Sequence, residues 1–339
     1  MQEKSEASKF TNIIKKEKTM AKKNTITLPD GTVVSHKKPL KEQMYKYRWF
    51  YLMFLPVFIF VVVFYYLPMF GIVYSFTEYK LIKDPVWTGF KNFETKPMFW
   101  RAFKNTLFLS ISKLLLNTFA AVVVSLLLNE IINVHFKKVA QTIIYLPHFL
   151  SWVVTASVFG LILSPSSQGL VNSFLVSIGV VEKGSEIYFL GSLKWWTPAF
   201  FVINVWKDTG WQTIIIMATL VGISQEIYEA AGIDGAGRWK KMWYITMPAL
   251  ANTIITVIIL NLAKVLNLFE SVFVLQNDAV MEKAEVIQTY VYNQTFNSGG
   301  IPNYGYTTAV GLFKSLVGCV LVLICNYISK KVRNGRGIV

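Results

Sequence analysis

The fold class that the sequence predicts is all-α, a polytopic membrane protein with six transmembrane helices, and three observations carry it. The chain is 53% hydrophobic and 15% aromatic with only 16% charged residues, a balance outside that of ordinary soluble domains. Apolar runs of the length needed to cross a ~30 Å hydrocarbon core recur six times along it. The polar stretches between them divide their cations unequally. The side that carries both termini has 21 Lys and Arg against nine on the other, while the acids split nine to nine. That bias is the positive-inside pattern, so both termini and the 222–248 loop are expected in the cytoplasm.

Residues 1–47 form a basic tail, holding twelve Lys and Arg against five acids once Arg48 is counted. It reads as a largely disordered cytoplasmic segment able to touch anionic lipid, with a turn at Pro29-Asp30-Gly31 and no other regular element. A secretory signal is argued against: the apolar block begins late, runs too long and lacks a small-residue cleavage site. Span one is 49–76, longer than the core requires, so it must tilt or bend, with Pro68 the candidate bend. Residues 77–105 read as amphipathic and interfacial, placing Trp87, Phe90, Phe93, Phe99 and Trp100 among lysines. Span two is 106–128. A basic turn at Lys137 and Lys138 leads to span three, 140–163, which contains Pro147. A connection at 164–197 precedes span four, 198–221. Span five is 249–269. The polar loop 270–306 has a short helix expected near 282–293, and span six is 307–329. The chain closes on a basic segment, 330–339, with Lys330, Lys331, Arg333 and Arg336. The six-span body is thus 48–329.

The most informative stretch is the cytoplasmic loop. Ser224 caps a short helix whose first turn carries Glu226, where the helix dipole favours an acid. Ile227, Ala230 and Ala231 share one face, with Glu229 beside it. Gly235 and Gly237 end the helix, a Trp-rich segment with Trp239, Met242 and Trp243 follows, and Pro248 suits the first turn of the next helix. A small-residue helix with a glycine elbow has the shape of a knob for a partner's groove.

Ionisable residues inside spans are Lys113, Lys207, Asp208, Lys264 and Lys314. Each costs at least ~2.5–3.5 kcal/mol at the bilayer centre unless it faces protein, water or a partner. Asn261, Lys264 and Asn267 recur every third residue and make one polar face on span five. Span four offers Asn204, Lys207, Asp208, Trp211 and Gln212. Polar groups beside an indole suit a hydrated path for a polyhydroxylated solute. Simpler readings stand beside this: Lys113 and Lys314 snorkel or pair structurally, Asp208 and Lys264 pair across spans, and the span-five face lines a subunit interface. No nucleophile–base pattern and no catalytic pair is present. His36, His135 and His148 are isolated, so no metal site is expected. The G-x-x-x-x-G-K-[ST] phosphate loop is absent, so no ATP hydrolysis by that route is expected. Cys319 and Cys325 do not align on a helix face and read as packing residues. The net charge of +15 reads as topology and lipid contact rather than nucleic-acid binding.

Glu229-Ala230-Ala231, Gly235, Ile245 and Pro248 fall at the spacings of the EAA loop of permease subunits of bacterial ABC importers, and Asp234-Gly235-Ala236 resembles the form of the sugar-importing branch. Met247 departs from the usual leucine but keeps size and apolarity. The segments Leu52-Met53-Phe54-Leu55-Pro56, Tyr66-Leu67-Pro68-Met69-Phe70-Gly71, Phe269-Glu270 through Gln276-Asn277, and Gly311-Leu312-Phe313 resemble the branch that imports oligosaccharides released from plant or algal polysaccharides. The resemblance extends over most of the chain from Trp49. It implies a type I importer fold in a bacterial plasma membrane, with 224–248 as a coupling loop. It also implies a homologous sister permease, two ATPase subunits that carry ATP and Mg, an extracellular sugar-binding lipoprotein, and no cofactor in this chain. Import of a peptide, an amino acid or an anion stays open, as does a membrane receptor or scaffold without transport. The aromatic, net-neutral path candidates favour sugar.

Overall fold

The computed structural model describes residues 25–27, 33–35, 40–80, 83–94, 96–166, 169–297, 299 and 301–332. The chain divides into two units, Met1–Phe70 and Gly71–Val339. In the first, β1 (Thr25–Thr27) pairs antiparallel with β2 (Val33–Ser35), Thr25 opposite Ser35, and α1 (Leu40–Lys46) follows. Regular elements therefore precede the first span where none was expected. β-branched residues, which favour extended backbone, make up most of both strands. The turn at Pro29–Gly31 lies outside the described residues.

The helical run α2 (Arg48–Phe76) continues through Pro68, the candidate bend. The helix widens to a π-turn over Val62–Tyr66 and tightens to 3-10 over Leu67–Phe76. Pro68 has no N–H for the carbonyl of Phe64 and its ring crowds that carbonyl; a local change of helix type relieves both. The same device recurs ahead of Pro248, where Met242–Thr246 is π inside the run α9 described below.

In the second unit, the 77–105 stretch is not one amphipathic segment. It holds a hairpin, β3 (Thr77–Lys80) and β4 (Lys83–Trp87), then a 3-10 turn at Gly89–Phe93. The buried Asn92 amide ties that turn back, donating to Ser75 O at 3.0 Å and Thr77 O at 2.7 Å. Helix α3 (Pro97–Glu130, 34 residues) starts well before the expected span, with Pro97 in its first turn.

Span three is broken rather than continuous. Helix α4 (Val134–Tyr145) runs into a 3-10 turn at Leu146–Phe149, and α5 (Trp152–Ile162) leaves at 104°. Pro147 cannot donate to continue the first helix, and Ser151 starts the second by accepting from Val154 N at 3.2 Å. After α6 (Leu170–Ser177) comes α7 (Trp196–Val221) and then α8 (Gln225–Ile233), set 67° from it. The run α9 (Arg238–Leu262) ends before the expected limit of span five, in a 3-10 turn at Val265–Asn267. Helices α10 (Glu270–Leu275), α11 (Met281–Ala284) and α12 (Ile287–Phe296) lie in the polar loop, and α13 (Tyr304–Val332) closes the described chain.

Four of these, α2, α3, α9 and α13, are long and apolar enough to cross a membrane. The bent pairs α4 with α5 and α7 with α8 raise the number to six if each is one span. Helices α3 and α7 form the centre. Trp196, Phe200 and Ile203 on α7 pack with Leu109 on α3, and the Trp196 indole donates to Leu275 O at 2.9 Å. Toward the other end, Ala121 and Leu128 on α3 meet Ile216, Met217 and Leu220, with Leu250 of α9. Both cysteines are free.

Candidate functional site

Two features are built around α7, one at its end and one along its length. At its end, Gly222 and Ser224 turn the chain into α8. The Ser224 hydroxyl accepts from Glu226 N at 3.3 Å. No residue of α8 is buried, and Glu229 and Ala230 point into open space while Ala231 is half-covered. The helix closes with crossed hydrogen bonds from Ala236 N to Ala231 O (2.8 Å) and Gly235 N to Gly232 O (3.1 Å). That pattern requires a left-handed residue, and Gly235 supplies it with φ 75°. Gly237, by contrast, has φ −69° and serves only as the cap of α9. Asp234 and Ala236 flank the elbow and Pro248 follows the π-turn; Asp234 and Pro248 are exposed. Tyr228 ties the knob to α9 through its hydroxyl, 2.8 Å from Thr246 Oγ1. Ile233, Trp239 and Tyr244 are 89%, 74% and 80% exposed, so an apolar surface surrounds the elbow.

Along its length, α7 forms one wall of a cavity of about 310 Å³. Asp208, Trp211 and Gln212 line it, with Ser110, Lys113 and Asn117 of α3 on one flank and His148 from the span-three break on another. Asn261, Lys264 and Asn267 face them from the end of α9 and the turn beyond. Of the residues predicted as path-lining, Asp208, Trp211, Asn261, Lys264 and Asn267 are therefore brought together.

Asn204 and Lys207 are not. Asn204 is fully buried and donates to Phe200 O at 2.7 Å within its own helix. Lys207 is 4% exposed and turned to the break: its ammonium donates to His148 O at 3.0 Å, Leu150 O at 2.7 Å and Pro147 O at 3.5 Å. It thus satisfies the carbonyls of His148 and Leu150 at the break, while Pro147 O also accepts from Leu150 N at 3.2 Å. The face on span five also differs from expectation, because the helix stops at Leu262 and a tight turn carries Lys264 and Asn267.

Asp208 pairs with Lys113 at 3.0 Å, not with Lys264, and His148 Nδ1 lies 3.9 Å from its other oxygen. His148 stacks on Trp211 with ring centroids 5.0 Å apart and planes at 16°, so the indole has an aromatic backing. Sequence reasoning set His148 aside as isolated, since the partners that give it a place lie on α7 and are remote in sequence. Lys113, read from the sequence as snorkelling or pairing structurally, is paired, its partner being Asp208. Lys314 of α13 stands behind the cavity, donating to Asn267 Oδ1 at 3.1 Å. Ser110 Oγ, Asn117 Oδ1 and Gln212 Oε1 are buried without a hydrogen-bond partner in the protein. Polar atoms of that kind suit the hydroxyls of a solute or of water. Among the described residues no group of His, Cys, Asp and Glu has the arrangement of a metal site.

Comparison with known proteins adds four likenesses. Residues 117–334 match the family described as "Binding-protein-dependent transport system inner membrane component". The chain is 38% identical to Protein LplB of Bacillus subtilis (strain 168), over 91% of this chain and 96% of that protein. It is also 38% identical to the polygalacturonan/rhamnogalacturonan transport system permease protein YteP of the same organism, over 87% and 92%. In three dimensions it matches a subunit of a bacterial alginate ABC transporter solved in complex with an alginate pentasaccharide-bound periplasmic protein. The TM-score is 0.79 at 33% identity, covering 89% of this chain and all of that one.

Proposed function

The chain belongs to the binding-protein-dependent transport system inner membrane component family, and from that premise we infer that it is one half of the pore of an ATP-driven importer of oligosaccharides. The observation that carries the substrate class is the cavity on α7: hydroxyl-seeking amides around an indole backed by an imidazole. Sugars bind through hydroxyl hydrogen bonds and the stacking of their apolar faces on aromatic rings. The kinship with YteP and with the alginate transporter supports the same class.

The proposed assembly has a homologous sister permease, two ATPase subunits that hold ATP and Mg, and an extracellular sugar-binding lipoprotein. Both termini and the α8 elbow face the cytoplasm, as the cation bias of the sequence supports. Each ATPase receives one elbow, with Glu229 against a cation of the groove, Ala230 and Ala231 allowing close approach, and Asp234, Gly235 and Ala236 setting the turn. Closure of the ATPases around ATP pulls the elbows; hydrolysis releases them.

The route from elbow to cavity is short. Helix α8 leaves α7 within three residues, Gly222 to Ser224. Higher on α7, Gly210 lies so close to α4 that a Cβ there would sit 2.4 Å from Ile144 O and 2.9 Å from Tyr145 Cα. Lys207 pins the break that follows. Movement of the elbow therefore carries α7, the break and His148 together, while Asn261, Lys264 and Asn267 stand on the far side of the cavity. This is alternating access driven by differential binding at the elbow.

Reconstitution with the sister chain, the ATPases and the binding protein tests the reading. Glu229→Lys and Gly235→Trp are expected to insert normally and abolish oligosaccharide-stimulated ATPase activity. Normal stimulated activity in either variant would contradict the coupling scheme. Stimulation by peptides or amino acids, with none by oligosaccharides, would contradict the substrate class.

A further inference from the structure

The charges around the cavity do not cancel. Its one lining acid, Asp208, is engaged by Lys113 at 3.0 Å with His148 beside it at 3.9 Å. Lys207 is occupied with backbone carbonyls. That leaves Lys264 as a second lining cation, exposed, and no ion pair reaches it among the described residues. An ammonium at membrane depth needs water or a counter-anion, and an open cavity admits both.

Its neighbour Asn267 is oriented to help. The Lys314 ammonium can only donate, so the amide it meets must present oxygen to it. Asn267 Oδ1 accepts from Lys314 at 3.1 Å and from Gln288 Nε2 at 3.3 Å. The amide N–H groups of Asn267 are thereby left for other partners. Lys264 and Asn267 are joined through one turn, Asn267 N donating to Lys264 O at 2.9 Å, and both line the cavity. An ammonium and an amide N–H₂ on one wall suit an acceptor with two oxygens.

We propose that Lys264, assisted by Asn267, is the specificity-determining contact that reads a carboxylate on the transported sugar, and so sorts uronate-bearing oligosaccharides from neutral ones. The Lys113–Asp208 pair is closed and serves the wall, whereas Lys264 is open and serves the solute. This inference rests on the oligosaccharide reading above.

The test compares two probes, trigalacturonate and its methyl ester, in proteoliposomes holding the whole complex with its binding protein. The same binding protein serves every variant, so its own selectivity cancels from variant-to-wild-type ratios. In Lys264→Gln, the ratio of acid to ester uptake is expected to fall by at least about tenfold, as loss of a charge-assisted hydrogen bond implies. Lys264→Arg, which keeps the charge, is expected to restore most of it. An unchanged ratio in Lys264→Gln overturns the proposal and makes Lys264 a structural or inter-subunit residue. Wild-type uptake of the ester but not of the acid also overturns it, and leaves the oligosaccharide reading intact. Wild-type uptake of neither probe, with another solute class transported, overturns both.

Discussion

Replacing Gly210 with alanine tests whether α4 and α7 form one body. Glycine in a helix interior is normally worse than alanine by about 1 kcal/mol, so on propensity alone the change would stabilise. The geometry at Gly210 opposes that. Its added Cβ would lie 2.4 Å from Ile144 O and 2.9 Å from Tyr145 Cα, both backbone atoms that cannot swing aside as a side chain does. The backbone just beyond them is held by the three hydrogen bonds of Lys207. Overpacking of a well-packed site costs about 1–3 kcal/mol, which exceeds or cancels the propensity gain. A net loss of up to about 2 kcal/mol is expected, where propensity alone gives a gain of about 1 kcal/mol. The control is Gly318 in α13, where nothing lies within 4 Å of an added Cβ, so Gly318→Ala should be neutral or gain up to about 1 kcal/mol. The assay is thermal unfolding of the purified chain in detergent. A Gly210→Ala variant more stable than wild type, by the gain expected at Gly318, would refute the close packing of α4 on α7 and the rigid route from elbow to cavity.

Three further outcomes are expected. Lys207→Met leaves the carbonyls of His148 and Leu150 without their donor and should cost about 1–3 kcal/mol, together with increased reactivity of a cysteine placed at His148; unchanged reactivity would contradict the clamp. Asp208→Asn leaves Lys113 without its ion partner, and since both side chains are only about a fifth exposed, the loss should be about 1–2 kcal/mol after allowance for screening. A double-mutant cycle with Lys113→Met should return most of that as coupling, and additive losses would mean that the pair contributes nothing. Gly235→Val forces a β-branched residue to φ 75° at a cost of about 1–3 kcal/mol. It should lower coupled ATPase activity far more than it lowers membrane insertion, as measured by activity per inserted chain.

What the sequence made legible followed from patterns local to it. The elbow was readable because its cap, small-residue face and glycine stop are consecutive, and α8, the Ser224 cap and the left-handed Gly235 stand where the pattern predicts them. The apolar runs located the long helices because burial in lipid demands length. Span three was the main loss: Pro147 was seen, but a proline kinks or breaks according to whether something receives the freed carbonyls, and the receiver, Lys207, lies on another helix. The cavity was half legible for the same reason. Asn261 and Asp208 are polar wherever they fall, yet which cation meets Asp208 depends on how α3 packs on α7, and spacing within a helix does not choose between Lys264, the pairing offered from the sequence, and Lys113, the one observed. His148 carried no sequence signal, since its role depends on Trp211 stacking across the break.

The account depends most on the elbow being a cytoplasmic handle for a separate ATPase. A single cysteine at Ala230, in a chain whose Cys319 and Cys325 are replaced by alanine, measures this directly in oriented vesicles with and without the ATPase subunits. The expected result is labelling by a membrane-impermeant thiol reagent from the cytoplasmic face alone, with protection and crosslinking when the ATPase is present. Labelling from the extracellular face, or unprotected labelling with no crosslink to any ATPase, would contradict it.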